Sequence, residues 1–349
     1  MTGEETPSLV SSLAAETREG ADSSANLGKR LARFAGAKER ALAMRDYISL
    51  SIEQSKRTQR IASQMHECGS YLLFRHYTDA DRVRLAAMHS CKHHLLCPFC
   101  AIRRGAKMLA RYVERFQIVQ GEHPELIPYM VTLTVKNGPD LAERYSHLHR
   151  AVKRLGKDRH RYRGIAPEIA KAAGAVWSYE FKRGDRSGLW HPHTHAVWLC
   201  TSPLDVPKLS AEWHEITGDS FIVEAHRMYG EPLDAFAEVF KYAVKFADLP
   251  LADNWAAADT LKRKRLIRSS GLLWGVEVPE TLTDDEILEG SPYVELLYRF
   301  VRGLGYALTD RAGYRAAYFA ALNRDRGQLP PGAHKWSGGM GAEAPHEGP

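Results

Sequence analysis

Four of the five cysteines lie between positions 68 and 100, and two of them, Cys97 and Cys100, are separated only by Pro98 and Phe99. Thiolates at this spacing suit the tight turn that presents two sulfurs to one tetrahedral Zn²⁺, and Cys91 and Cys68 complete a four-sulfur shell. Such a shell constrains the fold strongly, because one ion pins together segments that are distant in sequence. Four protein ligands leave no open position for substrate, so the expected role of Zn²⁺ is structural. Between Cys68 and Cys91 lie 22 residues, and His89, His93 and His94 are alternative donors to Cys68. The competing readings are four buried free thiols and a redox Cys-x-x-Cys pair, the latter wanting a βαβ context that the flanking sequence lacks.

The chain has 349 residues, 44% hydrophobic and 26% charged, which excludes a wholly disordered or fibrous protein and suggests two folded units with tails. The formal charge is +6 and the pI about 9.0, a balance that favours polyanionic partners. The longest apolar runs, Tyr129–Leu133 and Ala196–Cys200, fall far short of the roughly 20 residues that span a bilayer. The first residues, Met1 to Glu5, have neither the basic start nor the apolar stretch of a signal peptide, so a reducing cytoplasmic location without disulfides is expected.

Composition divides the chain into a tail (1–28), a helical module with the four cysteines (29–125), a central domain (126–250), a C-terminal accessory region (251–325) and a second tail (326–349). In the central domain Tyr129–Val135 reads as a strand, and Asp140 with Glu143 opens a helix that Gly156 can stop. Ala175–Lys182 and His193–Cys200 read as a hairpin, Pro207–Thr217 as a helix, Phe221–His226 as a strand and Leu233–Leu249 as a helix. The order βαββαβα predicts an α+β fold: a four- or five-stranded, mainly antiparallel sheet with helices on one face and the other free for a site.

The hairpin carries the chemistry. His191, His193 and His195 alternate along one strand and so share a face, and Glu180 on the partner strand is positioned to add a carboxylate. Two histidines and a carboxylate with open positions suit Mg²⁺ or Mn²⁺ acting as a Lewis acid, and can also hold Zn²⁺ or Fe²⁺; spacing does not fix which two histidines coordinate. On the last helix, Glu238, Tyr242 and Lys245 fall on one polar side opposite Phe236, Phe240, Ala243 and Ala247. A phenol beside a metal-polarised phosphodiester can attack reversibly. Two basic clusters offer phosphate contacts: Arg103, Lys107, Arg111 and Arg115 at four-residue intervals, and Arg159, Arg161 and Arg163 in a stretch that carries a surplus of positive charge.

At CGSYLLF, CPFCAIRR, VTLTVKN, HPHTH and EVFKYAVKFAD the sequence resembles the HUH endonucleases, and within them the single-tyrosine rolling-circle replication initiators of small bacterial plasmids. The resemblance spans roughly residues 67–248. It implies a ferredoxin/RRM-like HUH sheet, His193 and His195 as the metal pair, Tyr242 as nucleophile and Glu238 as an activator of water at termination. It also implies plasmid origin DNA as substrate, with a host helicase and polymerase as partners; no GxxxxGK[ST] loop is present for an intrinsic ATPase. A transposase, a mobilisation relaxase and a non-catalytic zinc-containing DNA regulator are the rival readings.

Overall fold

A computed structural model of the protein describes residues 22–184, 187–230, 232–240, 248–275 and 291–309. At its centre β4 (Ala172–Arg183) and β5 (Trp190–Cys200) form the expected antiparallel hairpin, with Glu180 opposite His193 and Ser178 opposite His195. β3 (Ile127–Thr134) pairs with the other edge of β5, and β6 (Val223–Arg227) pairs with β3. β7 (Ile267–Gly271) adds to β4, so the sheet runs β6-β3-β5-β4-β7 with every neighbouring pair antiparallel. The βαββαβα order therefore holds, with its fifth strand supplied from beyond residue 250.

β4 and β5 are buried along nearly their whole length rather than alternately, because both faces of the sheet are covered. On one face lie α4 (Leu141–Asp158) and α5 (Val206–Thr217); the Tyr145 ring sits 6.0 Å from those of Tyr179 and Phe181, and Trp213 donates to the Thr134 carbonyl at 2.8 Å. On the other lie α3 (Pro98–Glu122) and α6 (Pro232–Phe240), whose Leu109, Phe116, Phe236 and Phe240 form one apolar cluster with Val176, Val197 and Leu199. The expectation of helices on one face alone is thus corrected. Val197 and Leu199 share their face with the histidines, and this apolar end of the face needs a cover that α3 and α6 provide.

Gly156 does not stop α4, which continues to Asp158. A glycine inside a helix costs about 1 kcal/mol, and the neighbouring buried Leu155 and Val152 outweigh it. The start is as expected, the Asp140 carboxylate accepting from the Glu143 amide at 3.0 Å.

The cysteine module contains more than helices. α1 (Leu27–Ser51) and α2 (Lys56–Glu67) precede a hairpin of β1 (Tyr71–Tyr77) and β2 (Arg82–Met88). The free edge of β1 takes β8 (Val294–Val301), which pairs in turn with β9 (Gly305–Leu308), giving the order β2-β1-β8-β9. The region 251–325, read as an accessory, therefore supplies strands to both sheets as well as α7 (Leu251–Thr260). Of the residues read as tails, Leu27 already begins a 25-residue helix, while 1–21 and 326–349 lie outside the described residues. Lys38 of α1, 2% exposed, donates to the Met65 and His66 carbonyls at 3.4 and 2.5 Å and so satisfies the last turn of α2 just ahead of Cys68.

Candidate metal centres

Three elements deliver the four sulfurs. Cys68 caps the C-terminus of α2, Cys91 lies in the loop after β2, and Cys97 caps the N-terminus of α3, whose Pro98 and first turn bring round Cys100. The Sγ atoms of Cys68 and Cys97, Cys68 and Cys100, and Cys91 and Cys100 are 3.7, 3.5 and 3.6 Å apart. A disulfide would bring sulfurs to about 2.05 Å; sulfurs held at about 2.3 Å around Zn²⁺ stand about 3.8 Å apart. All four cysteines are buried and free of disulfides, so the donor set and the spacing fit a tetrathiolate site. Hydrogen bonds from Cys68, Cys91 and Cys97 hold the Cys100 thiol far below its ordinary range, in the first turn of a helix whose amides favour a thiolate. His93, an alternative donor by sequence, instead pairs its Nε2 with Gln64 Oε1 at 2.8 Å. Cys200 is outside the cluster, and burial pushes its thiol up to about 12.

The second group is Glu180, His193 and His195, all buried, with one candidate ligand atom from each within 4.8 Å of the others. Glu180 Oε1 is 3.4 Å from His193 Nε2, and Oε2 is 3.4 Å from His195 Nε2. Register explains the convergence: His193 and His195 point to one face of β5, and Glu180 stands directly opposite His193. His195 Nδ1 lies 3.1 Å from Thr132 Oγ1, an interaction that fixes the ring and aims Nε2 at the carboxylate. Burial holds the His193 imidazole below its ordinary value, which favours the neutral form that a metal requires. His195 Nε2 makes no hydrogen bond among the described residues. A buried imidazole nitrogen left so, facing a carboxylate and a second imidazole, fits a divalent cation.

His191 shares the face, its ring centre 5.2 Å from that of His193, but it is outside the converging trio; its Nδ1 pairs with Asn137 Oδ1 at 2.7 Å. Sequence reasoning missed Thr132 and Asn137 as partners of the histidines. The run VTLTVKN holds both, yet only the β3–β5 register, for Thr132, and the contact across to His191, for Asn137, reveal whom they face.

Glu238 is half-buried on α6, a helix packed on the same face of the sheet as the trio through Phe236, Val239 and Phe240. Tyr242 and Lys245 lie outside the described residues. Arg103, Lys107 and Arg111 are exposed along α3, whereas Arg115 turns back over the Tyr112 ring, 5.2 Å from its centre. Arg159 joins Lys153, Lys157, Arg265 and Arg268 around a cavity of about 830 Å³, and Arg161 and Arg163 are exposed in the loop beyond. Among the described residues no helix is long and apolar enough to cross a membrane.

Comparison with known proteins finds similarity to replication proteins. The family described as "Replication protein" matches residues 82–203, a segment holding Cys91, Cys97, Cys100, Glu180 and the histidine strand. A "Protein rep" of Bacillus amyloliquefaciens is 26% identical over 139 residues, 39% of this chain and 38% of the relative. A "Protein rep" of Streptococcus pneumoniae serotype 2 (strain D39 / NCTC 7466) is 25% identical over 231 residues, 61% of this chain and 70% of the relative. No solved structure matches. The likeness to plasmid replication initiators is thus supported at low identity, and through residues 82–203 the chain is similar to the Rep replication proteins.

Proposed function

We propose that this chain initiates plasmid rolling-circle replication by nicking one strand of origin DNA through a tyrosine. The observation that carries the reading is the buried Glu180–His193–His195 trio on a sheet face that α6 also covers, the helix whose Glu238 precedes Tyr242 by four residues in the sequence. Tyr242 Oη attacks the scissile phosphorus, the bond from phosphorus to the 3′ oxygen breaks, and the phenol proton is lost while the departing oxygen gains one. The protein keeps the 5′ phosphate as a phosphotyrosine, and the free 3′ hydroxyl primes synthesis by a host polymerase, with a host helicase opening the duplex.

Glu180, His193 and His195 would hold Mg²⁺ or Mn²⁺, which supplies Lewis acidity to a phosphate oxygen when bound. Thr132 orients His195, and the ammonium of Lys245 offsets charge near the phosphate. At termination Glu238 accepts a proton from water or from an incoming hydroxyl. The four-cysteine site holds Zn²⁺ and anchors α3 against α2, a structural duty. Arg103, Lys107 and Arg111 on α3, with Arg159, Arg161 and Arg163 after α4, contact DNA phosphates irrespective of sequence.

The test is a covalent adduct on an origin oligonucleotide, resolved by denaturing electrophoresis. The wild-type protein with Mg²⁺ or Mn²⁺ is expected to form it, EDTA to abolish it, and Tyr242→Phe to lose it while retaining origin binding. An undiminished adduct from the phenylalanine variant moves the nucleophile to another residue, and wild-type rates in EDTA remove the metal from the reaction.

A further inference from the structure

Away from the nuclease sheet, α2, the loop between β2 and α3, and the α7 segment enclose a cavity of about 700 Å³. Its rim carries Lys56, Arg57, Arg60, Lys92, Lys262 and Arg263, all exposed, against a single acid, Asp259. Asp259 is itself engaged, its carboxylate 2.7 Å from the Arg57 guanidinium. Five cations thus face the cavity without an acidic partner lining it. The inner wall is apolar, formed by Ile61, Leu95, Leu96, Ala258 and the Trp255 ring.

The walls are tied to one another, so the cavity is preformed. His93 of the loop bonds Gln64 of α2 at 2.8 Å, and buried Asn254 of α7 donates to the Leu95 carbonyl at 2.7 Å. Cys91, one of the four clustered sulfurs, lies in the same lining, which roots the loop. Strain is concentrated here too. Among the described residues three non-glycine residues adopt left-handed backbone, and two of them, Lys92 and Arg263 with φ of 62° each, stand on this rim. Such a backbone is strained and persists where the surroundings hold it, commonly at ligand clamps. Here both strained residues present cations to the same space.

We infer that this cavity is a second polynucleotide site, in which the rim cations bind the phosphodiester backbone of DNA and Trp255 offers an apolar wall to a sugar or base. It rests on the reading of the chain as a DNA-handling protein but shares no residue with the nicking site. The chemistry fits: a mainly cationic rim over an apolar wall matches a chain of phosphates joined to apolar faces, and electrostatic attraction to phosphate is independent of sequence. A protein that holds origin DNA here can grip the substrate while the strand is cut elsewhere.

The test uses the full-length, zinc-loaded protein and a fluorescent duplex containing the origin. In the Arg60→Gln/Lys262→Gln/Arg263→Gln variant, affinity by anisotropy is expected to fall at least tenfold near 0.15 M salt. The slope of log affinity against log salt should fall by about 2.7, about 0.9 for each phosphate that is no longer neutralised. A control, Lys29→Gln/Arg299→Gln, removes exposed cations elsewhere and should leave the slope near wild type. Unchanged zinc content and melting temperature exclude misfolding as the cause, and a retained adduct on saturating short oligonucleotide separates this site from the nicking reaction. An unaltered affinity and slope overturn the proposal, as does an equal loss in the control. If a free mononucleotide such as dAMP binds the wild type at micromolar concentration but not the variant, while duplex affinity is the same in both, the phosphate belongs to a nucleotide and the polynucleotide assignment falls.

Discussion

Thr132 and His195 stand directly opposite each other across the β3–β5 pairing, with Oγ1 3.1 Å from Nδ1. The threonine therefore decides which imidazole nitrogen remains for the carboxylate of Glu180, 3.4 Å from Nε2. Partners of this kind fix tautomer and ring orientation, and their loss typically costs 10–100-fold in metal affinity or activity. Thr132→Val, which keeps the shape and removes the hydroxyl, is expected to raise the Mn²⁺ concentration giving half-maximal adduct formation by about that factor. Thr132→Ser should restore it. An unchanged metal dependence in the valine variant would show that packing alone orients the ring.

Under the proposed mechanism Glu238 serves the last strand cut and not the first. Glu238→Ala should leave adduct formation within about threefold of wild type and slow the terminating step by about 10²-fold, the usual contribution of a positioned general base. Plasmid replication in cells would then begin but yield overlong or concatenated products. Equal loss of both steps would assign Glu238 to the architecture of α6 instead.

The sulfur cluster bears on folding. Cys97→Ser or Cys100→Ser is expected to remove one zinc equivalent per chain by elemental analysis and to destabilise the protein by at least about 3 kcal/mol, because structural metal binding is coupled to folding. Limited proteolysis should then cut within residues 68–122, where α2 and α3 meet the cluster. A zinc-free preparation with wild-type stability would exclude the metal.

Acid should weaken the fold. Burial holds the imidazoles of His76, His93, His94, His149 and His193 below the ordinary value of 6.5. The unfolded chain takes up protons at these residues below 6.5 while the folded chain resists them, so their contribution is complete above that pH and is lost as pH falls through the lowered values. The melting temperature is expected to drop steadily from about pH 7 to about pH 5. His76, 2% exposed and part of neither metal cluster, provides the check: His76→Gln should flatten the acid limb. A limb as steep as wild type would remove His76 from the linkage.

The chain's local chemistry is written in its sequence. Cys-Pro-Phe-Cys dictates a turn into a helix, alternating histidines dictate one face of a strand, and Asp140 marks the start of α4. These are short-range matters of dihedral preference, capping and period. Pairings between distant segments are different, since many registers satisfy the same pattern and only simultaneous burial of both faces selects one. Tertiary structure therefore decided that Glu180, and not His191, completes the trio with His193 and His195, and that Thr132 faces His195. It also decided that β7 and β8, from a region read as accessory, close the exposed edges of β4 and β1. An unpaired strand edge leaves backbone groups without partners, and the local sequence does not say which later segment will supply them.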